Sequence, residues 1–368
     1  MRTTKEPSGP RNEFHAFPRT LTIGIDLGDR FGHYCILDEK GVVVEEGRVK
    51  MTRKEVTVHF QRLAATRIAM EAGTHSGWVS RLLESFGHEV LVANVSETPG
   101  ISHSHRKSDA VDAEKLARYA RVDPRLLSPI RHRTEAAQHD LVLIRVRERF
   151  IAARTMFINA ARGIVKSLGY RLPGCGADTF AKRCRLHLPT NVAEILAPLL
   201  SQVASLTEQI KQYDALIEQL AESKYPETLV LQGVSGVGAL TALSYVLTLG
   251  DPTRFAKSRD VGCYLGLRPR RSQSGQHDPQ LGITKAGNRY LRKTLVQCTQ
   301  HILGPLGRDS ALRRWGQKLA ARGGKNAKKR AIVAMARKLA VLLHRLWVTQ
   351  KPYDPFFGVS REPNPATA

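Results

Sequence analysis

The hydrophobic pattern changes character partway along the chain. In the first third, short apolar runs alternate with polar turns. LTIGIDLG (21–28) predicts a buried strand that ends on an acidic residue and a glycine turn. HYCILDEKGVVVEEGRV (33–49) predicts two further strands around the hairpin signal Asp38-Glu39-Lys40-Gly41. Helical spacing in MTRKEVTVHFQRLA (51–64), a strand in TRIAMEAG (66–73), a helix in THSGWVSRLLESFG (74–87) stopped by Gly87, and a strand in HEVLVANV (88–95) follow. RKSDAVDAEKLAR (106–118) then reads as the start of a helix. This β-β-β-α-β-α-β order plus a helix predicts a compact mixed α/β domain ending near Pro124.

From Thr134 the period becomes helical throughout. Residues 134–169 run without proline to a stop at Gly169, and a Pro/Gly-containing loop follows. Leu196, Leu199, Val203, Leu206, Ile210, Tyr213, Ile217 and Leu220 then recur at alternating three- and four-residue steps. That stripe predicts a coiled coil, paired within the chain or, in the favoured reading, used at least partly for oligomerisation. LQGVSGVGALTALSYVLTLG (231–250) suggests a helix-hairpin-helix whose glycines admit a DNA phosphate, or else a plain tight turn between helices. Residues 258–303 mix a helix, a strongly basic loop and a second helix, and 311–347 are helical around a Gly-Gly break. Residues 1–19 are expected to be a disordered lead and the segment after Pro352 a frayed tail.

Charge narrows the function classes. In 368 residues, 57 Lys and Arg stand against 33 Asp and Glu, a net +24. So large a basic excess points to a polyanionic partner, nucleic acid before membrane. No apolar run approaches the roughly 18 residues of a membrane span, and MRTTKEPSGPRNEF lacks an apolar signal core. The five cysteines are odd in number and scattered, which suits reduced cytosolic thiols rather than a disulfide frame or zinc knuckle.

Two constellations could carry chemistry. Asp109 and Asp112 share one helix face at i and i+3, where two carboxylates repel unless a cation lies between them. An N-terminal helical turn, where Asp is favoured by the dipole and by capping, is the plainer explanation of that pair. Asp26 and Glu71, each at the C-terminal end of a predicted strand, add two carboxylates and make a four-carboxylate cup for Mg²⁺ plausible. Asp26-Leu27-Gly28 also resembles the first phosphate loop of actin-like sugar kinases, but the second, duplicated α/β domain that fold needs is absent from the pattern. The second constellation is RPRRSQSGQHD (268–278). Arg268, Arg270 and Arg271 precede Ser274-Gly275, and Lys285, Arg289 and Arg292 follow. A serine among guanidinium groups suits attack on a phosphodiester, and suits simple phosphate clamping still better.

IGIDLG, AMEAGTHSGW and KSDAVDAEKLARY, followed by GVSGVGALTALSYVLTLGDPTRFAKSRDVGCYLGLRPRRSQSG and LGITKAGNRYLRKTL, together resemble the insertion-sequence transposases of the one-hundred-ten family. These are the DEDD transposases related to Piv-type invertases, also called bridge recombinases. The resemblance spans about residues 20–350 and implies a RuvC-like (RNase H fold) domain over 20–125. Long helices and a coiled coil would follow over 130–225, then a mainly helical transposase domain over 228–350. It places Asp26, Glu71, Asp109 and Asp112 on the family's Mg²⁺-binding DEDD set and Ser274 on its nucleophile, against the clamping preference. It further implies donor and target DNA as substrates and a structured noncoding guide (bridge) RNA that pairs with both. Strand exchange would run through a Holliday-junction-like intermediate in a homo-oligomer, a tetramer that joins the carboxylates of one subunit to the serine of another.

Overall fold

The computed structural model describes residues 21–94, 108–275, 277–279 and 281–357; the expected N-terminal lead, residues 106–107 of the carboxylate motif and most of the expected tail lie outside them. The chain divides into two compact units, with the break between Glu135 and Ala136.

The first unit is built on a five-stranded sheet. Its strands are β1 (Thr22–Leu27), β2 (Phe31–Leu37), β3 (Val43–Lys50), β4 (Arg67–Glu71) and β5 (Glu89–Ala93), in the order β3-β2-β1-β4-β5. β1, β2 and β3 pair antiparallel, whereas β4 and β5 join β1 in parallel. Alternation along each strand sorts side chains to two faces. Ile23, Ile25, Ile68, Met70 and Val92 meet Val56 and Phe60 of α1 (Arg53–Phe60) and Val79 and Leu83 of α2 (Ser76–Ser85). The other face carries Gly24, Cys35 and Ala69, and α3 (Asp109–Val122) covers it through Ala113, Leu116, Ala117 and Ala120.

Gly24 decides how close α3 comes. A Cβ there would stand 1.9 Å from the Ala113 carbonyl oxygen and 2.5 Å from the Ala117 nitrogen. Only a glycine opposite a run of alanines lets strand and helix touch at that distance. Beyond α3, Leu127 is fully buried against the same face, and the Ile130 amide donates to the Val92 carbonyl at 2.8 Å. Residues 124–135 therefore stay with the sheet.

The second unit is helical. Its elements are α4 (Glu135–Ser167), α5 (Phe180–His187), α6 (Thr190–Lys224), α7 (Glu227–Gln232), α8 (Ala239–Leu249), α9 (Asp260–Tyr264), α10 (Arg289–Leu303), α11 (Ala311–Ala320) and α12 (Ala327–Thr349). Helices α4 and α6 run antiparallel. Leu141 and Ile144 cluster with Ile217 and Ala221, the Phe150 and Tyr213 rings stand 5.3 Å apart, and Ala161 and Val165 join Val192 to Val203. Arg147 pairs with Asp214 at 2.5 Å and Lys224 with Asp140 at 2.6 Å. Every second position of the heptad stripe, Leu196, Val203, Ile210 and Ile217, is buried, and the alternate ones are half-buried. The chain's own α4, α5 and α8 cover much of a face that the spacing alone left open to a second copy.

The remaining helices enclose a separate core. Tyr245 of α8 is fully buried and its hydroxyl donates to the Ala340 carbonyl at 2.6 Å. The buried His344 ring lies 3.0 Å from the Ser258 hydroxyl and 2.9 Å from the Pro252 carbonyl. No helix among the described residues is long and apolar enough to cross a membrane.

Candidate active site and nucleic-acid interface

The four carboxylates lie on two strands and on the first turn of α3. The parallel register pairs Ile25 with Met70, so Asp26 and Glu71 stand side by side one step further. Both share the face of Gly24 and Ala69, the face that α3 covers. The antiparallel register places His33 opposite Asp26, on that face too. His33 Nδ1 lies 3.4 Å from Asp109 Oδ2, so the first turn of α3 stands near the ends of β1 and β2. Past Glu71, the Ser76 hydroxyl accepts from the Gly73 amide at 2.9 Å and donates to the Gly73 carbonyl at 2.8 Å, pinning the turn there.

Neither Asp109 nor Asp112 is the capping residue itself. Ser108 is the cap, its hydroxyl accepting from the Val111 amide. The two aspartates occupy the first turn, where the helix dipole favours carboxylates. Asp109 is largely exposed, whereas Asp112 is only 5% exposed and meets Lys115 Nζ at 3.3 Å. A carboxylate that buried needs a cation nearby, and Lys115 already supplies one.

Four carboxylate groups form a hard oxygen donor set, the chemistry that suits Mg²⁺. Their arrangement is open: among the described residues no three His, Cys, Asp or Glu side chains converge into a group that could hold a metal ion. His33 was missed from the sequence. The signal that could have found it is the β1–β2 register, because the residue facing Asp26 across an antiparallel pair shares its side of the sheet.

The serine sits in a different kind of environment. The described residues between Gly266 and Lys285 form a narrow ribbon on the second unit. Lys285 donates its amide to the Gly266 carbonyl at 3.0 Å, Thr284 to Arg268 at 2.9 Å and Arg270 to Gly282 at 2.9 Å. Near the tip, Ser274 and His277 exchange backbone hydrogen bonds of 3.1 and 3.0 Å around Gly275, whose φ is +56°. Ser274, Arg268, Arg270 and Arg271 are all exposed. Arg271 touches the Gln273 amide oxygen and stands 3.8 Å from Asp278, a contact too exposed to hold it firmly.

The base of the ribbon is rigid. Gly266 and Gly287 have positive φ, and a Cβ on either would fall within 2.3 Å of opposing backbone. Arg292 turns into this junction and donates to the carbonyls of Leu265 at 3.2 Å, Gly287 at 3.1 Å and Ala286. Burial, and next the neighbouring Arg289, lower its pKa from the usual guanidinium value. Arg292 thus anchors the ribbon, while Lys285 and Arg289 remain exposed beside it. The turn before α8 has its left-handed residue at Gly236, packed on His301 and Ile302 of α10, and leaves open space at Gly238. All five cysteines are free thiols.

Comparison with known proteins bears on both units. Residues 229–309 match the family described as Transposase IS116/IS110/IS902 family, and residues 23–169 match the DEDD transposase of IS110 elements. The chain is 28% identical to the transposase for insertion sequence element IS1111A of Coxiella burnetii, over 90% of each chain. It is 30% identical to y4pF/y4sB of Sinorhizobium fredii, described as a candidate transposase, over 83% of this chain and 79% of that protein. The pilin gene-inverting protein of Moraxella lacunata is 28% identical over 41% of this chain and 45% of its own.

Proposed function

The chain belongs to the IS110-type transposase family and is a DNA transposase, and from that premise we propose that it is an RNA-guided recombinase with a serine nucleophile and a Mg²⁺-binding carboxylate set. One juxtaposition supports the reading: Asp26 and Glu71 share the sheet face that α3 covers, Asp109 and Asp112 lie in the first turn of α3, and the same chain carries an exposed serine among arginines. The strand order β3-β2-β1-β4-β5 supports the RuvC-like character of the first unit.

Asp26, Glu71, Asp109 and Asp112 would hold the metal, which when bound lowers the charge on a scissile phosphate and stabilises its attacking and leaving oxygens. His33 stands beside Asp109 at the first turn of α3. The Ser274 oxygen forms a bond to phosphorus as the bond from phosphorus to one sugar oxygen breaks. The strand is left as a serine phosphodiester and a freed sugar hydroxyl. Arg268, Arg270 and Arg271 bind neighbouring phosphates and stabilise the charge that develops on the non-bridging oxygens. The freed hydroxyl of another strand attacks the same phosphorus and releases the serine. Bridge RNA selects donor and target by base pairing, and a tetramer brings the serine of one subunit to the carboxylates of another.

The test is recombination of supercoiled donor and target DNA by the full chain with Mg²⁺ and the RNA transcribed from the element's flanks, resolved on denaturing gels. A protein–DNA adduct that disappears in Ser274→Ala, and exchange lost in Asp26→Ala, is the expected result. Free cleaved ends without any adduct would instead identify a metal-dependent nuclease with water as nucleophile. Exchange that persists without RNA would remove the guide from the reading.

A further inference from the structure

A second basic site lies at the far end of the α4–α6 pair. Helix α4 stops there in a tight reversal: the Gly169 amide donates to the Lys166 carbonyl at 3.1 Å and the Tyr170 amide to the Val165 carbonyl at 3.0 Å. Gly169 takes the required left-handed conformation at φ +83°. The reversal opens a cavity of about 560 Å³ lined by Arg162, Lys166, Gly169, Tyr170, Arg171 and Leu172. Its size is that of a ligand pocket, and its side chains are three cations, one aromatic ring and one aliphatic group.

Cations outnumber acids at this end. Residues 155–194 hold six Lys and Arg against two acids, Asp178 and Glu194, and Arg154 takes Asp178 at 2.6 Å. Lys182, Arg183 and Arg185 lie on α5, which packs into the same apolar cluster as Val165 and Leu172. Arg162 is preset, donating to the Leu172 and Pro173 carbonyls at 3.3 and 3.0 Å and stacking over Phe180. Lys166, Tyr170 and Arg171 are exposed. The carbonyl end of α4 opposes an anion with about half a charge, which the full charges of Lys166 and Arg171 outweigh.

We propose that this end of the helix pair is a grip for single-stranded nucleic acid, with backbone phosphates on Lys166 and Arg171 and a base stacked on Tyr170. An exposed ring between cations distinguishes a single-strand grip from a duplex-backbone contact, because a paired base must first unpair and unstack, at a cost in free energy, to reach it. The site shares no residue with the Ser274 ribbon or the carboxylate set, so it is read by binding rather than by strand exchange.

The test uses the full chain and labelled 20-nucleotide single-stranded RNA, single-stranded DNA and duplex DNA, followed by anisotropy through a KCl titration. Lys166→Ala/Arg171→Ala is expected to lower the log–log salt slope on single strands by about 1.4, two phosphates at roughly 0.7 each. Tyr170→Ala is expected to weaken single-strand binding about tenfold without changing the slope or duplex binding, and Tyr170→Phe to restore it. Loss confined to RNA or to DNA assigns the strand that occupies the grip. Unchanged slope and affinity on both single strands would overturn the proposal. So would equal loss in the charge-conserving swap Lys166→Arg/Arg171→Lys, which would mark a structural role.

Discussion

The carboxylate end of the sheet and the serine ribbon are held in place by opposite means. Asp26, Glu71, Asp109 and Asp112 ride on backbone locked by buried packing, with Ile23, Ile25, Ile68, Met70, Ala113 and Leu116 almost wholly out of water. Ser274 rides on an exposed ribbon held by its own backbone hydrogen bonds and joined to the helices at its root by Gly266, Gly287 and Arg292. Groups that share a charge must be spaced before any ligand arrives, whereas a nucleophile can take its final alignment from the substrate. Stability should therefore concentrate at the carboxylates and sensitivity of chemistry at the ribbon.

The largest expected effect pulls the two apart at the ribbon. Ser274→Ala should cut strand exchange by at least ~10⁴-fold, while unfolding in urea changes by less than about 0.5 kcal/mol, as for an exposed site. A large loss of stability would break the comparison. At the sheet, Gly24→Val should do the reverse, destabilising the first unit by about 4 kcal/mol or more. Hydrogen exchange of the β1 and α3 amides is the measurement, and protection equal to the native chain would contradict the close approach. Between these lies Arg292→Ala, which leaves partly buried carbonyls without their donor. It should loosen the ribbon at a cost of about 2 kcal/mol and raise exchange at the Lys285 and Thr284 amides, with α3 unaffected.

The smallest effect is one of pH. His59 and His132 both belong to the first unit, and burial lowers both pKa values, with Arg62 next at His59 and Arg81 and Arg133 next at His132. Their folded-state pKa lies below the unfolded value of about 6.5, so below that pH the unfolded chain binds more protons. Stability of the first unit should fall as pH drops from about 6.5 toward the folded-state values. His132→Phe should flatten part of that slope, with no matching change in the ribbon.

The sequence exposed these two regions unequally. Each strand of the sheet was readable because an apolar run between turn residues has few other uses, and α3 was readable from its Asp-first turn. The common face of Asp26 and Glu71 followed only once the register was known, and His33 was hidden in the same register. For Ser274 the residue types gave two chemistries, and the resemblance rather than the pattern chose between them. The heptad stripe announced an apolar face that either the 134–169 helix or a second copy could cover, and spacing alone does not choose between them. Arg292 looked like its basic neighbours, because a helix start one residue earlier or later decides whether a side chain meets carbonyls or solvent.

Gly24 has a consequence for anyone who would recombine pieces of such proteins. With a strand whose only clearance is a missing methyl group, β1 cannot be exchanged without the helix that rests on it. A chimera that joins β1 of one relative to α3 of another inherits two halves of a fitted joint, although long stretches of sequence separate them. The smallest transferable part of this sheet is therefore a non-contiguous one, β1 together with α3, and crossover points belong outside both.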